Sequence, residues 1–133
     1  ASRIILHLAL LPPGSRTTAD EIAKRRLVPR TLIRRLVARL RQGGLLLTVR
    51  GRGGGITLAK PPAEISLLDV VQIIEGPLAL NICTNDPLAC PLTSVCPIHD
   101  TWVETQRLLT EQLKKATFAK LSQREREKAH HQK

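Results

Sequence analysis

The chain has 133 residues, enough for one compact domain or two small lobes. It carries 21 Lys/Arg against 11 Asp/Glu, a formal net charge of +10, and its aromatics are one Trp and one Phe. No apolar run approaches membrane-spanning length, and the shortage of aromatic stacking platforms turns a basic chain away from single strands and RNA and toward duplex DNA.

Ala1 to Leu11 reads as a helix, with Ile4, Ile5, Leu8 and Leu11 at helical spacing. His7 lies off that stripe and reads as a surface or packing residue. The chain opens inside this apolar run, which suggests that further residues precede Ala1. Pro12-Pro13-Gly14 ends the helix. Thr18-Ala-Asp-Glu21 has the form of a capping box and starts a second, short helix. Pro29 suits the first position of a third helix, running to about Gln42 and stopped by Gly43-Gly44. Leu32, Ile33, Leu36, Val37 and Leu40 form its apolar face; Thr31, Arg34, Arg35 and Ala38 lie opposite, with Arg30 and Arg41 on a flank.

Two helices joined by a tight turn, the second rich in arginine on its open face, make a helix-turn-helix. The alternative is a merely solvated basic face, and the charge distribution argues against it. Residues 1–60 hold 13 Lys/Arg against 2 acidic side chains, whereas residues 61–133 hold 8 against 9. Such a split predicts a nucleic-acid-binding half and a half with another task. Arg30, Thr31, Arg34 and Arg35, with Thr18 at the start of the preceding helix, are the candidate residues for the major groove.

Leu45–Val49 and Ile56–Leu58 read as two strands joined by Arg50-Gly-Arg-Gly-Gly-Gly55, a hairpin whose tip offers Arg50 and Arg52 to phosphates. A nucleotide-binding reading of these glycines fails, because the G-x-G-x-x-G pattern needs glycine at Ile56 and no Walker lysine follows. Pro61-Pro62 marks a boundary. Ser66-Leu-Leu-Asp69 starts another helix, with Val70, Val71 and Ile74 as its stripe, and Gly76-Pro77 stops it.

All three cysteines then fall between Cys83 and His99, with six residues between Cys83 and Cys90 and five between Cys90 and Cys96. Pro87, Pro91 and Pro97 forbid a continuous helix, so this reads as a long loop that needs something to hold it. Buried apolar cysteines and a zinc site with His99 are both open readings, although zinc ligands usually sit closer in sequence. A disulfide framework is disfavoured, since three is odd and no secretory segment is evident; the compartment expected is a reducing cytoplasm. Thiolates also suit an iron–sulfur cluster, which is the leading reading. From Ile98 to Leu121 the pattern predicts one helix about 36 Å long. Ile98, Trp102, Leu109 and Ala116 stand at near-heptad spacing, widened by Leu108 and Leu113. That stripe is too large for its lobe to bury and predicts a homodimer. Residues 122–133 read as a charged, frayed tail. No catalytic constellation is present, and neither an enzyme nor a pure protein-interaction module accounts for the basic half.

The segments Glu21-Ile-Ala23, Leu40-Arg-Gln-Gly-Gly-Leu45, Val49 to Ala59, Ile65 to Val71 and Glu75-Gly-Pro-Leu-Ala-Leu80, followed by the three cysteines, resemble the bacterial IscR/NsrR regulators, the Rrf-two family. The resemblance departs at Ile56, where the family's wing usually carries an aromatic. It implies a mostly α fold with a small β-hairpin wing: a winged helix-turn-helix domain over residues 1–60, then a cluster-binding loop and long C-terminal dimerisation helix over 61–121. It further implies a cytoplasmic homodimeric regulator, a repressor, on a two-fold symmetric duplex operator. Its cluster, 2Fe–2S or 4Fe–4S, would be held by Cys83, Cys90 and Cys96, with His99 completing the set in IscR-like members. A cluster-free or zinc-stabilised regulator of the same family is the alternative. No nucleotide cofactor and no membrane partner are expected.

Overall fold

The computed structural model describes residues 1–132. Helix α1 spans Ser2–Leu10 and buries Ile4, Ile5 and Leu8, the predicted stripe. His7 is buried with them, so it is a packing residue. Helix α2 spans Ala19–Arg26, where the Thr18 side chain accepts from the Glu21 N–H at 3.2 Å. Only half of the predicted capping box forms: the Glu21 carboxylate accepts from the Thr17 hydroxyl at 3.0 Å and pairs with Arg25 at 3.2 Å.

Helix α3 spans Arg30–Gln42 and follows the turn at Leu27–Pro29, in which Leu27 takes φ +52°. Ile33, Val37 and Leu40 are buried, while Leu32 at the rim is 38 % exposed. At the far end of α3, a Cβ on Gly43 would run into the Ile73 side chain, so glycine there lets the next helix pack closely.

Strands β1 (Leu46–Val49) and β2 (Gly55–Leu58) pair antiparallel, from Leu46 opposite Leu58 to Val49 opposite Gly55. Thr17 makes an isolated bridge to β2: its N–H donates to the Ile56 carbonyl at 3.1 Å and its carbonyl accepts from the Ile56 N–H at 2.8 Å. Ile56 is buried in the common core.

After a 3-10 turn at Pro62–Glu64, helix α4 spans Leu67–Glu75 with a complete capping box: Ser66 N–H donates to Asp69 at 2.7 Å and Asp69 N–H to the Ser66 hydroxyl at 3.2 Å. Val70 and Leu68 are its buried residues; Val71 and Ile74 of the predicted stripe are half-buried. The cysteine segment is less irregular than predicted. Cys83 lies on a short helix, α5 (Ile82–Asn85), a 3-10 turn covers Pro87–Ala89, and His99 falls in the first turn of helix α6 (Pro97–Lys115).

The predicted single helix from Ile98 to Leu121 breaks at Ala116-Thr117. There the backbone pairs with the entry to α4 instead of continuing its own ladder. Leu67 N–H donates to the Ala116 carbonyl at 2.9 Å, and Phe118 N–H to the Ile65 carbonyl at 2.8 Å. Thr117 caps a new helix, α7 (Phe118–His131), whose first residue is 1 % exposed in the core. Helix α6 is thus about 28 Å long, and Ala116 lies outside it. The frayed tail over 122–133 is corrected with it: Ser122 is buried, and α7 runs back along α1 through His131. Lys133 lies outside the described residues.

Phe118 is therefore the clasp between the C-terminal helix and the N-terminal core. Phe118→Ala is expected to cost about 3–5 kcal/mol, measured as a lower urea midpoint with unchanged slope.

Candidate nucleic-acid interface and cysteine segment

Arg30, Thr31, Arg34 and Arg35 are all exposed on α3, facing away from Ile33, Val37 and Leu40. Arg50 and Arg52 are exposed on the hairpin, and Thr18 is exposed at the α2 N-terminus with its oxygen committed to the cap. The fold brings part of this set together. One shallow groove of about 230 Å³ runs from Ala19 past Arg34, Val37, Ala38 and Arg41 to Thr48 and Arg50. Arg30 and Arg35 lie outside that groove, and Arg52 stands at the hairpin tip. Sequence reasoning placed Arg41 only on a flank and passed over Thr48; both line the groove because β1 lies against α3.

Among the described residues, no carboxylate pairs with Arg30, Arg34, Arg35, Arg50 or Arg52; the ion pairs belong to Arg25, Arg26 and Arg107. An unpaired, solvated guanidinium keeps its five donors for an incoming carbonyl or phosphate. The hairpin that carries two of them is held from behind: Arg16 donates to the Gly53 carbonyl at 2.5 Å. A side chain at Gly54 would collide with the Val49 carbonyl, so the turn closes only with glycine there.

In the second candidate site, Cys83, Cys90 and Cys96 are half-buried and all are free thiols. His99 is half-buried too, and its Nδ1 is enclosed without a hydrogen-bond partner. An enclosed polar atom with no partner costs about 1–3 kcal/mol, so a ligand for that nitrogen would relieve a real penalty. Three soft thiols and one imidazole thus fit an iron–sulfur cluster or a zinc ion in kind. Their arrangement is not that of a closed site: among the described residues, no three His, Cys, Asp or Glu side chains gather into a group able to hold a metal ion. Loading therefore requires the segment to fold around its centre, as metal sites commonly do.

Gln106, which carried no sequence signal, anchors the start of this segment to α6. Its side-chain oxygen accepts from the Leu80 N–H at 3.0 Å and the Thr84 hydroxyl at 2.7 Å. Along α6 no residue is fully buried; Ile98 is 66 % exposed, and Trp102, Leu109 and Leu113 are half-buried.

Comparison with known proteins gives a family match and similar folds. The family model Rrf2, described as an iron-dependent transcriptional regulator, matches residues 1–124. The fold is similar to that of CymR (YrzC), the global cysteine regulator of B. subtilis, at 24% identity over 92% of this chain and 89% of that one, with a TM-score of 0.75. It is similar also to T. potens IscR, at 24% identity over 90% of this chain and 78% of that one, with a TM-score of 0.72. An oxidized form of Staphylococcus aureus CymR matches at 24% identity over 90% and 86%, with a TM-score of 0.67.

Proposed function

The chain belongs to the Rrf2 family of transcriptional regulators, and from that premise we propose that it acts as a homodimer that reads a two-fold symmetric duplex with α3 and the wing and takes its signal at the cysteine segment. The family makes it a DNA-binding regulator, of a kind that is generally not enzymatic. No helix among the described residues is long and apolar enough to cross a membrane.

The observation that carries the DNA-reading surface is the groove in which Arg34, Arg41 and Arg50 converge, with no acidic residue in its lining. The N-terminal half of α3 enters the major groove, where Arg30, Thr31, Arg34 and Arg35 meet base edges and phosphates. Arg50 and Arg52 follow the sugar–phosphate chain along the wing. The dimer contact falls on α6, because Ile98, Trp102, Leu109 and Leu113 form an apolar row that the monomer covers only in part. Ala116, half-buried at the helix end, closes that row.

An iron–sulfur cluster is the reading of the cysteine segment that its donors and the family's iron dependence favour. Cys83, Cys90 and Cys96 would hold it, with His99 as a further donor through its unpartnered nitrogen. When bound, such a cluster supplies a centre sensitive to iron supply, nitric oxide or redox state. The amount of iron and sulfide per chain distinguishes 2Fe–2S from 4Fe–4S, and zinc content or its absence separates the zinc-stabilised and cluster-free forms.

Arg34→Ala is expected to lose about 1–3 kcal/mol on a selected duplex and to relax base preference, whereas Arg52→Ala weakens all duplexes alike and flattens the salt dependence. Unchanged titrations for both variants would remove the surface from consideration. Protein purified without oxygen should be brown, with iron and sulfide in stoichiometric amounts. Cys90→Ala should lose both while its circular dichroism stays native, with operator affinity shifted about 5- to 150-fold. Colourless protein with one zinc per chain would select the alternative. Leu109→Glu should sediment as a monomer or an aggregate, since it leaves a charge desolvated in the contact; a stable dimer would place the interface elsewhere.

A further inference from the structure

Behind the helix-turn-helix lies a set of polar contacts that neither the groove nor the cysteine segment uses. Arg26 is the last residue of α2, directly before the turn into α3. Its backbone carbonyl and that of Leu27 accept from Arg3 of α1 at 3.3 and 3.4 Å. Its side chain reaches the other way: Nη1 pairs with Glu125 of α7 at 2.7 Å, and Nε donates to Nδ1 of His7 at 3.5 Å. The ring of His7 is 4 % exposed, and its Nε2 is enclosed without a partner. An open cavity of about 440 Å³ runs alongside, lined by His7, Leu10, Leu11, Arg25, Arg26 and Glu125, so solvent comes close to the trio.

We propose that Arg26 is a positioning residue for DNA reading, which fixes the turn into α3 by bridging His7 to Glu125, and that a proton on His7 releases it. This rests on the reading that α3 is the DNA-reading helix. Neutral His7 accepts from Arg26 at Nδ1, which places its own proton on Nε2. Protonated His7 carries donors on both nitrogens, so Nδ1–H would face Arg26 Nε–H, donor against donor and cation against cation. The other charges facing the ring do not cancel this. Glu21 and Glu125 favour the charged ring, while Arg25 and Arg26 oppose it, with Arg3 one turn away on α1. Burial is the largest influence and, with Arg26, holds the ring below its ordinary pKa of 6.5.

The direction follows. A base whose pKa is lowered in the clamped state takes up a proton more readily in the open state. The clamp therefore carries no penalty above about pH 6.5, and the penalty grows as pH falls through and below that value. A merely structural arginine would show no such profile.

The test titrates a duplex, selected from random sequence by the native protein at neutral pH, from about pH 8 to about pH 5 at fixed ionic strength. The native protein is expected to lose at least about fivefold in affinity over that range. His7→Phe, and His7→Gln as a second non-titrating variant, should lose much less, their melting temperatures confirming the fold. A parallel loss in native and variants overturns the proposal. A second measurement is independent of DNA: the Arg26 Nε–H resonance of the native protein should broaden over the same range in which the His7 ring titrates. If the ring titrates and that resonance does not move, the clamp is refuted. If Arg34→Ala leaves binding intact while the resonance moves as expected, the DNA surface is misplaced and the clamp stands.

Discussion

Two backbone hydrogen bonds and one buried ring decide the shape of this chain. Leu67 and Ile65, at the entry to α4, take up the Ala116 carbonyl and the Phe118 N–H, and Phe118 sinks between them into the common core. Had those groups been satisfied within one helix, residues 97–131 would project as a continuous rod. Instead α6 is released at its C-terminal end and α7 is turned back along α1. Each break of a helix exposes orphan carbonyl and amide groups that must find partners. Here the partners belong to the segment that leaves the wing, so that segment and the start of α7 are tied at one place. The ring adds a large apolar burial to a core otherwise built from aliphatic side chains.

The positive charge of the first half turns out to serve two different ends. Arg16 holds the hairpin tip, Arg26 joins three helices, and Arg39 donates to the Ile73 carbonyl at 3.1 Å. Those guanidiniums are spent on the fold. Arg30, Arg34, Arg35, Arg50 and Arg52 have no carboxylate partner among the described residues, and it is their surplus that a polyanion would feel. A count of charges by residue number locates the basic half but does not separate the two groups, because the separation depends on which carbonyls the fold leaves within reach.

Much of the fold was legible in the sequence because its signals are local. Ile4, Ile5 and Leu8 repeat at helical spacing, Pro12-Pro13-Gly14 and Gly43-Gly44 punctuate, and the glycines from 51 to 54 mark the hairpin turn. The complete capping box at Ser66 and Asp69 is of the same kind. What escaped was non-local. Ala116-Thr117 contains neither proline nor glycine, and the apolar row of Leu109 and Leu113 continues in phase to Leu121, so nothing nearby announces a break whose cause lies at Ile65. The same holds for the candidate sites. Arg34 and Arg50 were found by type and pattern, whereas Arg41 and Thr48 join them only through the packing of β1 on α3, and Gln106 became visible only when α5 was seen against α6.

The placement of the cysteine segment also defines how a change there could reach the reading head. Its first turn is fastened to α6 through Gln106, α6 lies on α4, and α4 meets the end of α3, where Ile73 fills the space that a Gly43 side chain would need. Arg39 stitches the same junction from the side. The segment's remaining apolar residues, Leu88, Leu92 and Val95, are largely exposed, so little holds that part in one arrangement. Ordering it would act first on α6, and through α6 on the proposed dimer contact and on the seat of α3. Packed junctions of this kind shift between discrete arrangements rather than bending smoothly, so in the proposed dimer a change at the thiols would act on the spacing of its two α3 helices. The clamp at Arg26 holds the opposite end of the same helix-turn-helix, so α3 is seated from its N-terminal side by a proton-sensitive contact and from its C-terminal side by the cysteine-bearing arm.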